Sequence, residues 1–262
     1  MDVARICEAI DNEDLLELAL ATHDMEDLNV LSDGFSSINN HKCTLLMYAI
    51  RKRKISVIEW LVERGVDLSI QDTRGRTPLS IAITTGDIHV VNPLLNAGAD
   101  AKFVSESGHT FAHYTAAVGS DDLLDVAIKY GVDLNATTDM GMTAFHVAVK
   151  EGNFDLAVAL LDKGARITPH IYTNGIPLLH MATTSHTTDL VGRIIRAGAN
   201  INTLDHERKT ALHHACARTN YRATKALLLA GGDLDQRDSL GISPRDMIFN
   251  VMKSQLQKEG LM

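Results

Sequence analysis

Aromatic residues are scarce in this 262-residue chain, at 5% with a single tryptophan, although 45% of its residues are hydrophobic. The core must therefore be built from alanine, leucine, isoleucine and valine, which suits many short helices packed closely and argues against an all-β fold. Cysteine is sparse too: Cys7, Cys43 and Cys216 are far apart and odd in number. That pattern fits neither a disulfide framework nor a zinc knuckle and points to a reducing compartment, the cytosol or nucleus. No window holds the roughly 18 apolar residues that span a bilayer, so membrane insertion is not expected. The opening residues lack a basic stretch followed by an apolar one, so no secretory leader is expected. Positive charge is in deficit, 25 Lys and Arg against 33 Asp and Glu, for a formal charge of −8. Phosphate backbones and anionic lipid surfaces need clustered positive charge, so nucleic acid is not an expected partner.

What the chain has instead is a period. Helix-starting segments begin at Thr44, Thr77, Thr110, Thr143, Pro177, Thr210 and Ser243, with steps of 33 residues and one of 34. A glycine stands 21 residues after each of the first six, at Gly65, Gly98, Gly131, Gly164, Gly198 and Gly231. Two markers in one register predict two short helices per unit. In the fourth unit, Thr143 caps a first helix, Gly152 ends it, and Phe154, Leu156, Ala157, Leu160 and Leu161 form the apolar face of a second. Segments such as Asp72-Thr-Arg-Gly75 read as tight turns between units. Pro93 falls inside a second helix, where a kink or a shortened helix is expected.

The repeated segments Thr77-Pro-Leu-Ser-Ile-Ala82, Thr110-Phe-Ala-His-Tyr-Thr115, Thr143-Ala-Phe-His-Val-Ala148, Pro177-Leu-Leu-His-Met-Ala182 and Thr210-Ala-Leu-His-His-Ala215 resemble the signature of the ankyrin-repeat family. The closing turns Gly98-Ala-Asp100, Gly131-Val-Asp133 and Gly198-Ala-Asn200 extend the resemblance over nearly the whole chain. It implies an all-α solenoid of helix-turn-helix units joined by β-hairpin-like turns. Residues 1–37 are expected to form a capping helix pair, with Leu15, Leu18 and Leu20 facing inward. Six repeats are expected at about 38–70, 71–103, 104–136, 137–170, 171–203 and 204–236, with a capping repeat at 237–262; polar ends of this kind suggest a complete array. The resemblance also gives the signature histidines His113, His146, His180 and His213 a structural role, hydrogen bonding between neighbouring repeats.

A search for chemistry finds no nucleophile elbow, no phosphate loop and no cysteine paired with histidine in a recognisable context, so no catalytic site, metal or cofactor is expected. The reading is a non-enzymatic module that binds another protein, as adaptor, inhibitor or assembly chaperone, with a monomer favoured. The alternatives are a metal-dependent or catalytic protein using the region His206 to Cys216, and a self-associating structural protein. Between Lys42 and Arg76 eight basic residues face four acidic ones, a net +4 against −12 for the rest, and the run Arg51-Lys-Arg-Lys54 dominates it. In the family's register Arg51 and Lys52 end an inner helix and Arg74 and Arg76 sit on the next finger, so they are expected to converge on the concave side; a solvated inter-helix loop, a contact with an acidic partner and a nuclear import signal are all open. The resemblance places partners against finger tips and inner helices, here also His109, Met140, Met142, Ile176, His206 and Lys209, with His41 on the first finger and Asn174 beside Ile176. Met140, Met142 and Ile176 would form an apolar patch, either exposed or folded back. A peptide with an acidic end and a hydrophobic anchor would fit. Asn135 and Asn202 stand where members of the family can be hydroxylated.

Overall fold

The computed structural model describes residues 2–25, 27–31, 42–167, 172–173, 176–185 and 189–262, which divide into two compact units, Met1–Asp133 and Leu134–Met262. In the first unit, α1 (Val3–Asp11) pairs with α2 (Leu15–Ala21), α3 (Leu45–Arg51) with α4 (Ile55–Glu63), α5 (Pro78–Thr84) with α6 (Ile88–Asn96), and α7 (Phe111–Val118) with α8 (Asp121–Lys129). The inner helices stack, α3 on α5 and α5 on α7, while α4 packs on α6. The second unit repeats the plan. Helix α9 (Ala144–Glu151) pairs with α10 (Phe154–Asp162), α11 (Leu178–Ala182) with α12 (Leu190–Arg196), and α13 (Ala211–Ala217) with α14 (Tyr221–Leu229). A 3₁₀ turn at Pro244–Met247 packs on α13, and α15 (Asn250–Lys258) follows it. A two-residue antiparallel pair, β1 (Tyr172–Thr173) with β2 (Ile176–Pro177), precedes α11.

Local sequence explains these boundaries. Thr44 and Thr77 accept a hydrogen bond from the backbone N–H three residues on, at 3.3 and 3.2 Å, which fixes the first turn of each helix. Inner helices lie between neighbours and are apolar nearly all round: every residue of α5 from Pro78 to Ile83 is buried. Outer helices keep one apolar face, as in α8, where Leu123, Leu124, Val126 and Ala127 are buried and Asp121, Asp122 and Asp125 face solvent. Phe111 and Phe145 are fully buried, each worth roughly 2–3 kcal/mol of transfer free energy.

Several expectations change. Pro93 does not shorten its helix, since α6 runs nine residues like α4 and α8. It sits on the partly exposed face beside exposed His89, whose carbonyl loses its helical donor where water can replace it. Of the three leucines expected to face inward in the N-terminal pair, Leu18 is fully buried, Leu15 is half-buried and Leu20 is 55% exposed, because Leu18 alone falls on the stripe facing α1. The segment at Ser243 closes as a 3₁₀ turn, and α15 supplies the last apolar stripe through Met252 and Leu256.

Where neighbouring units use Gly86, Gly119 and Gly152 between paired helices, this chain uses Arg53 and Thr219, both left-handed, at φ 56° and 52°. His186, the third such position, lies outside the described residues. A β-branched side chain is strained there by about 1–2 kcal/mol. Thr219→Gly is therefore expected to raise unfolding stability by about 0.5–1 kcal/mol after the entropy of glycine is subtracted, measured by equilibrium denaturation.

Candidate functional site

Five inter-repeat turns share one hydrogen-bond frame. In Asp72–Arg76, Ser105–His109, Thr138–Met142, Asp205–Lys209 and Asp238–Ile242, the first residue's N–H donates to the fifth residue's carbonyl at 2.9–3.0 Å. The fourth residue's N–H donates back to the first carbonyl. The first side chain then accepts the fifth N–H, through Asp72, Ser105, Thr138, Asp205 or Asp238. A left-handed residue closes each turn, glycine in four and Arg208 in one. The third residue stands at the tip and is exposed in all five, as Arg74, Ser107, Met140, Glu207 and Leu240. Constant frames thus present tips that differ in charge, size and polarity.

Asp72 anchors its turn most heavily. Its side chain is only 1% exposed. One carboxylate oxygen accepts the N–H groups of Arg74 and Arg76 at 2.9 and 3.0 Å, and the other accepts Arg76 Nε and Nη2 and Arg51 Nη2 at 3.0, 2.7 and 3.0 Å. Burial pushes the carboxyl up, but the bonds from the Arg76 side chain and the two backbone N–H groups outweigh it and hold its pKa below the usual value.

The basic run spends its charge inside the first unit. Arg51 is bound to Asp72, Lys52 lies 3.3 Å from Asp11 and over the Tyr48 ring, Lys54 lies 3.6 Å from Glu13, and Arg53 donates to the Thr85 carbonyl. Arg51 and Arg76 do converge, but on a buried carboxylate. Trp60 is buried beneath the Arg64 guanidinium, 3.5 Å from its ring.

The apolar patch needs correction. Met140 is 71% exposed, whereas Met142 is 7% exposed and its backbone N–H is tied to Thr138 Oγ1. The fifth residue of a finger belongs to the frame, so Met142 offers no contact surface. The Ile176 side chain, His41 and Asn174 lie outside the described residues. Leu240, 77% exposed at the last tip, escaped the sequence reading although it stands 33 residues after Glu207. His109 is half-buried and bonded to Ser107, His206 is exposed, and Lys209 pairs with Glu207. Asn135 Oδ1 accepts the Arg166 N–H at 2.7 Å, and Asn202 is exposed.

Three signature histidines cap their own helices. Nδ1 of His113, His146 and His213 accepts the backbone N–H of Thr110, Thr143 and Thr210 at 3.1, 3.2 and 3.0 Å and lies 2.8–2.9 Å from the threonine hydroxyl. His180 differs because Pro177 occupies the capping position and has neither group to offer. The His180 Nδ1 has no hydrogen-bond partner, its Nε2 lies 2.9 Å from the Lys209 carbonyl, and burial holds its pKa below the usual histidine value.

Of the region His206 to Cys216, only His214 joins a cluster of three metal-capable side chains among the described residues. Cys216 is fully buried and burial pushes its thiol up to about 11, so it stays protonated at neutral pH. His214 instead turns to Asp205, with Nε2 2.7 Å from Oδ2, and its ring centroid lies 5.3 Å from that of His180. One nitrogen from each of these two histidines and one Asp205 oxygen lie within 4.8 Å of one another, a set able to hold a metal ion.

Known proteins share the repeat. Family models described as "Ankyrin repeats (3 copies)" and "Ankyrin repeats (many copies)" match residues 6–103 and 79–171, and 179–228. Inversin from Gallus gallus is 41% identical over 56 residues, which are 21% of this chain and 5% of inversin, so the chain matches about one-twentieth of that relative's length. The ankyrin-repeat domain of human ASB11 superposes with a TM-score of 0.62 at 24% identity, over 82% of this chain and 97% of that one. The ankyrin-repeat domain of Bcl-3 superposes with a TM-score of 0.56 at 26% identity, over 81% and 97%.

Proposed function

Because this chain belongs to the ankyrin-repeat family, whose repeats are protein–protein interaction modules, we propose that it binds another protein through the exposed tips of its inter-repeat turns. The observation that carries this reading is the pairing of one repeated hydrogen-bond frame with five dissimilar exposed tips. Rigid turns lose little entropy on binding, so side chains on them can be spent on recognition. Arg74 suits an acidic group on the partner, and Met140 and Leu240 suit apolar anchors. Arg51, Lys52 and Arg76 play a supporting part, with Arg51 and Arg76 holding the Arg74 finger through Asp72. The repeat boundaries we assign are those set by the helix starts, six repeats between two caps, acting as an adaptor, inhibitor or chaperone in the cytosol or nucleus. No described helix is long and apolar enough to cross a membrane.

Affinity purification of the full chain at physiological salt, followed by quantitative mass spectrometry, tests this. Arg74→Glu or Met140→Glu is expected to lose at least ~10-fold of a partner that Glu59→Lys, on the exposed side of α4, retains. Recovery of no specific protein, or equal recovery by all variants, would sink the reading.

A further inference from the structure

We infer that His180, Asp205 and His214 form a binding site for a divalent transition-metal ion of the zinc class, independent of partner binding at the finger tips. The donor set is two imidazoles and one carboxylate, the borderline ligands that zinc, nickel and cobalt favour, and its atoms lie within 4.8 Å of one another. A tetrahedral ion with bonds of about 2.0 Å needs ligand atoms roughly 3.3 Å apart, so the cluster needs only local adjustment. The Asp205 and His214 side chains are 3% and 22% exposed and His180 is 2% exposed, so His214 is the most accessible of the three ligands.

The arrangement is built by the repeat register and occurs once among the described residues. A histidine at the third position of one inner helix faces the first residue of the next finger and the fourth residue of the next inner helix. Those fourth positions read Tyr48, Ile81, Tyr114, Val147, Met181 and His214 along the chain. Asp205 uses Oδ1 for the N–H groups of Glu207 and Lys209, both at 2.9 Å, and turns Oδ2 toward His214. Its frame bonds therefore survive when a cation takes the second oxygen.

Proton placement singles out His180. In His113, His146 and His213 a backbone N–H donates to Nδ1, which forces the ring proton onto Nε2. Pro177 removes that lock. Either neutral tautomer of His180 leaves Nδ1 without a partner, so freeing the Nε2 lone pair costs only the bond to the Lys209 carbonyl. At His214 the proton now between Nε2 and Asp205 moves to Nδ1, and the exposed Arg218 guanidinium 2.9 Å from Nδ1 swings away into water.

The test is calorimetric titration of the metal-stripped full chain with Zn²⁺, with Co²⁺ absorption as an independent readout of coordination. One saturable equivalent per chain is expected. Asp205→Asn keeps an oxygen for the finger frame, and His214→Ala alters a partly exposed side chain, so both should fold and should weaken binding at least ~10-fold. Pro177→Thr restores the cap, locks His180 in the wrong tautomer, and should weaken binding while raising stability. His89→Ala, an exposed histidine elsewhere, should change nothing. Absence of saturable binding by the wild type, or equal affinity in Asp205→Asn and His214→Ala, overturns the assignment.

Discussion

Asp72→Ala is expected to lower the stability of the first unit by about 2–3 kcal/mol and to disorder the finger that carries Arg74. The carboxylate is 1% exposed and accepts five hydrogen bonds, two from the finger backbone and three from Arg51 and Arg76. Removing one member of a buried ion pair costs about 3–5 kcal/mol when the remaining charge is trapped. Here the Arg51 and Arg76 side chains are 27% and 32% exposed, so water recovers part of that loss and the lower figure applies. Asp72→Asn keeps the backbone caps and should cost roughly half as much.

The pH dependence has a definite sign. The Asp72 pKa in the folded protein lies below its ordinary value of 3.8, so its contribution is complete above about that pH and disappears as pH falls through the lower folded value. The stability gap between wild type and Asp72→Ala should therefore be flat from neutral pH down to about 4 and narrow below it, toward the part that a neutral side chain such as asparagine retains. Urea denaturation at stepped pH measures this, and a gap that widens as the pH falls below about 4 would contradict it.

Helix starts were legible because a threonine hydroxyl reaches its own third N–H, a local bond that recurs every 33 residues. Side-chain direction within a finger was less so. Met140 and Met142 are two residues apart in a polar turn and look equivalent in sequence, but the bond from Met142 N to Thr138 Oγ1 puts one in the frame and the other at the tip. The charge of Arg51-Lys-Arg-Lys54 was legible, and its neutralisation by Asp11, Glu13 and Asp72 was not, since those carboxylates lie on other helices and fingers. The cluster of His180, Asp205 and His214 matches no spacing motif because its ligands come from two successive repeats. It could have been found only by asking which positions face each other across a repeat boundary. A local feature, Pro177 at the capping position, separates His180 from the other signature histidines.

That separation leads to the second large effect: in metal-free buffer His146→Ala should cost about 3 kcal/mol, and His180→Ala should cost about 1–2 kcal/mol less. Both rings are buried, at 1% and 2% exposure, so the packing lost is similar. Their polar accounts differ. Without the His146 ring, the Thr143 N–H and hydroxyl lose their Nδ1 partner at a residue only 3% exposed, and each unsatisfied group costs about 1–3 kcal/mol in full burial. Removing the His180 ring leaves only the Lys209 carbonyl short of one bond and also removes an Nδ1 that had no partner. Pro177→Thr should remove the difference between the two sites, because a threonine there gives His180 the same two bonds that His146 already has. His180→Ala made in that background should then cost as much as His146→Ala. Equal costs for the two alanine variants in the native background would show that the missing cap at Pro177 carries no energetic weight.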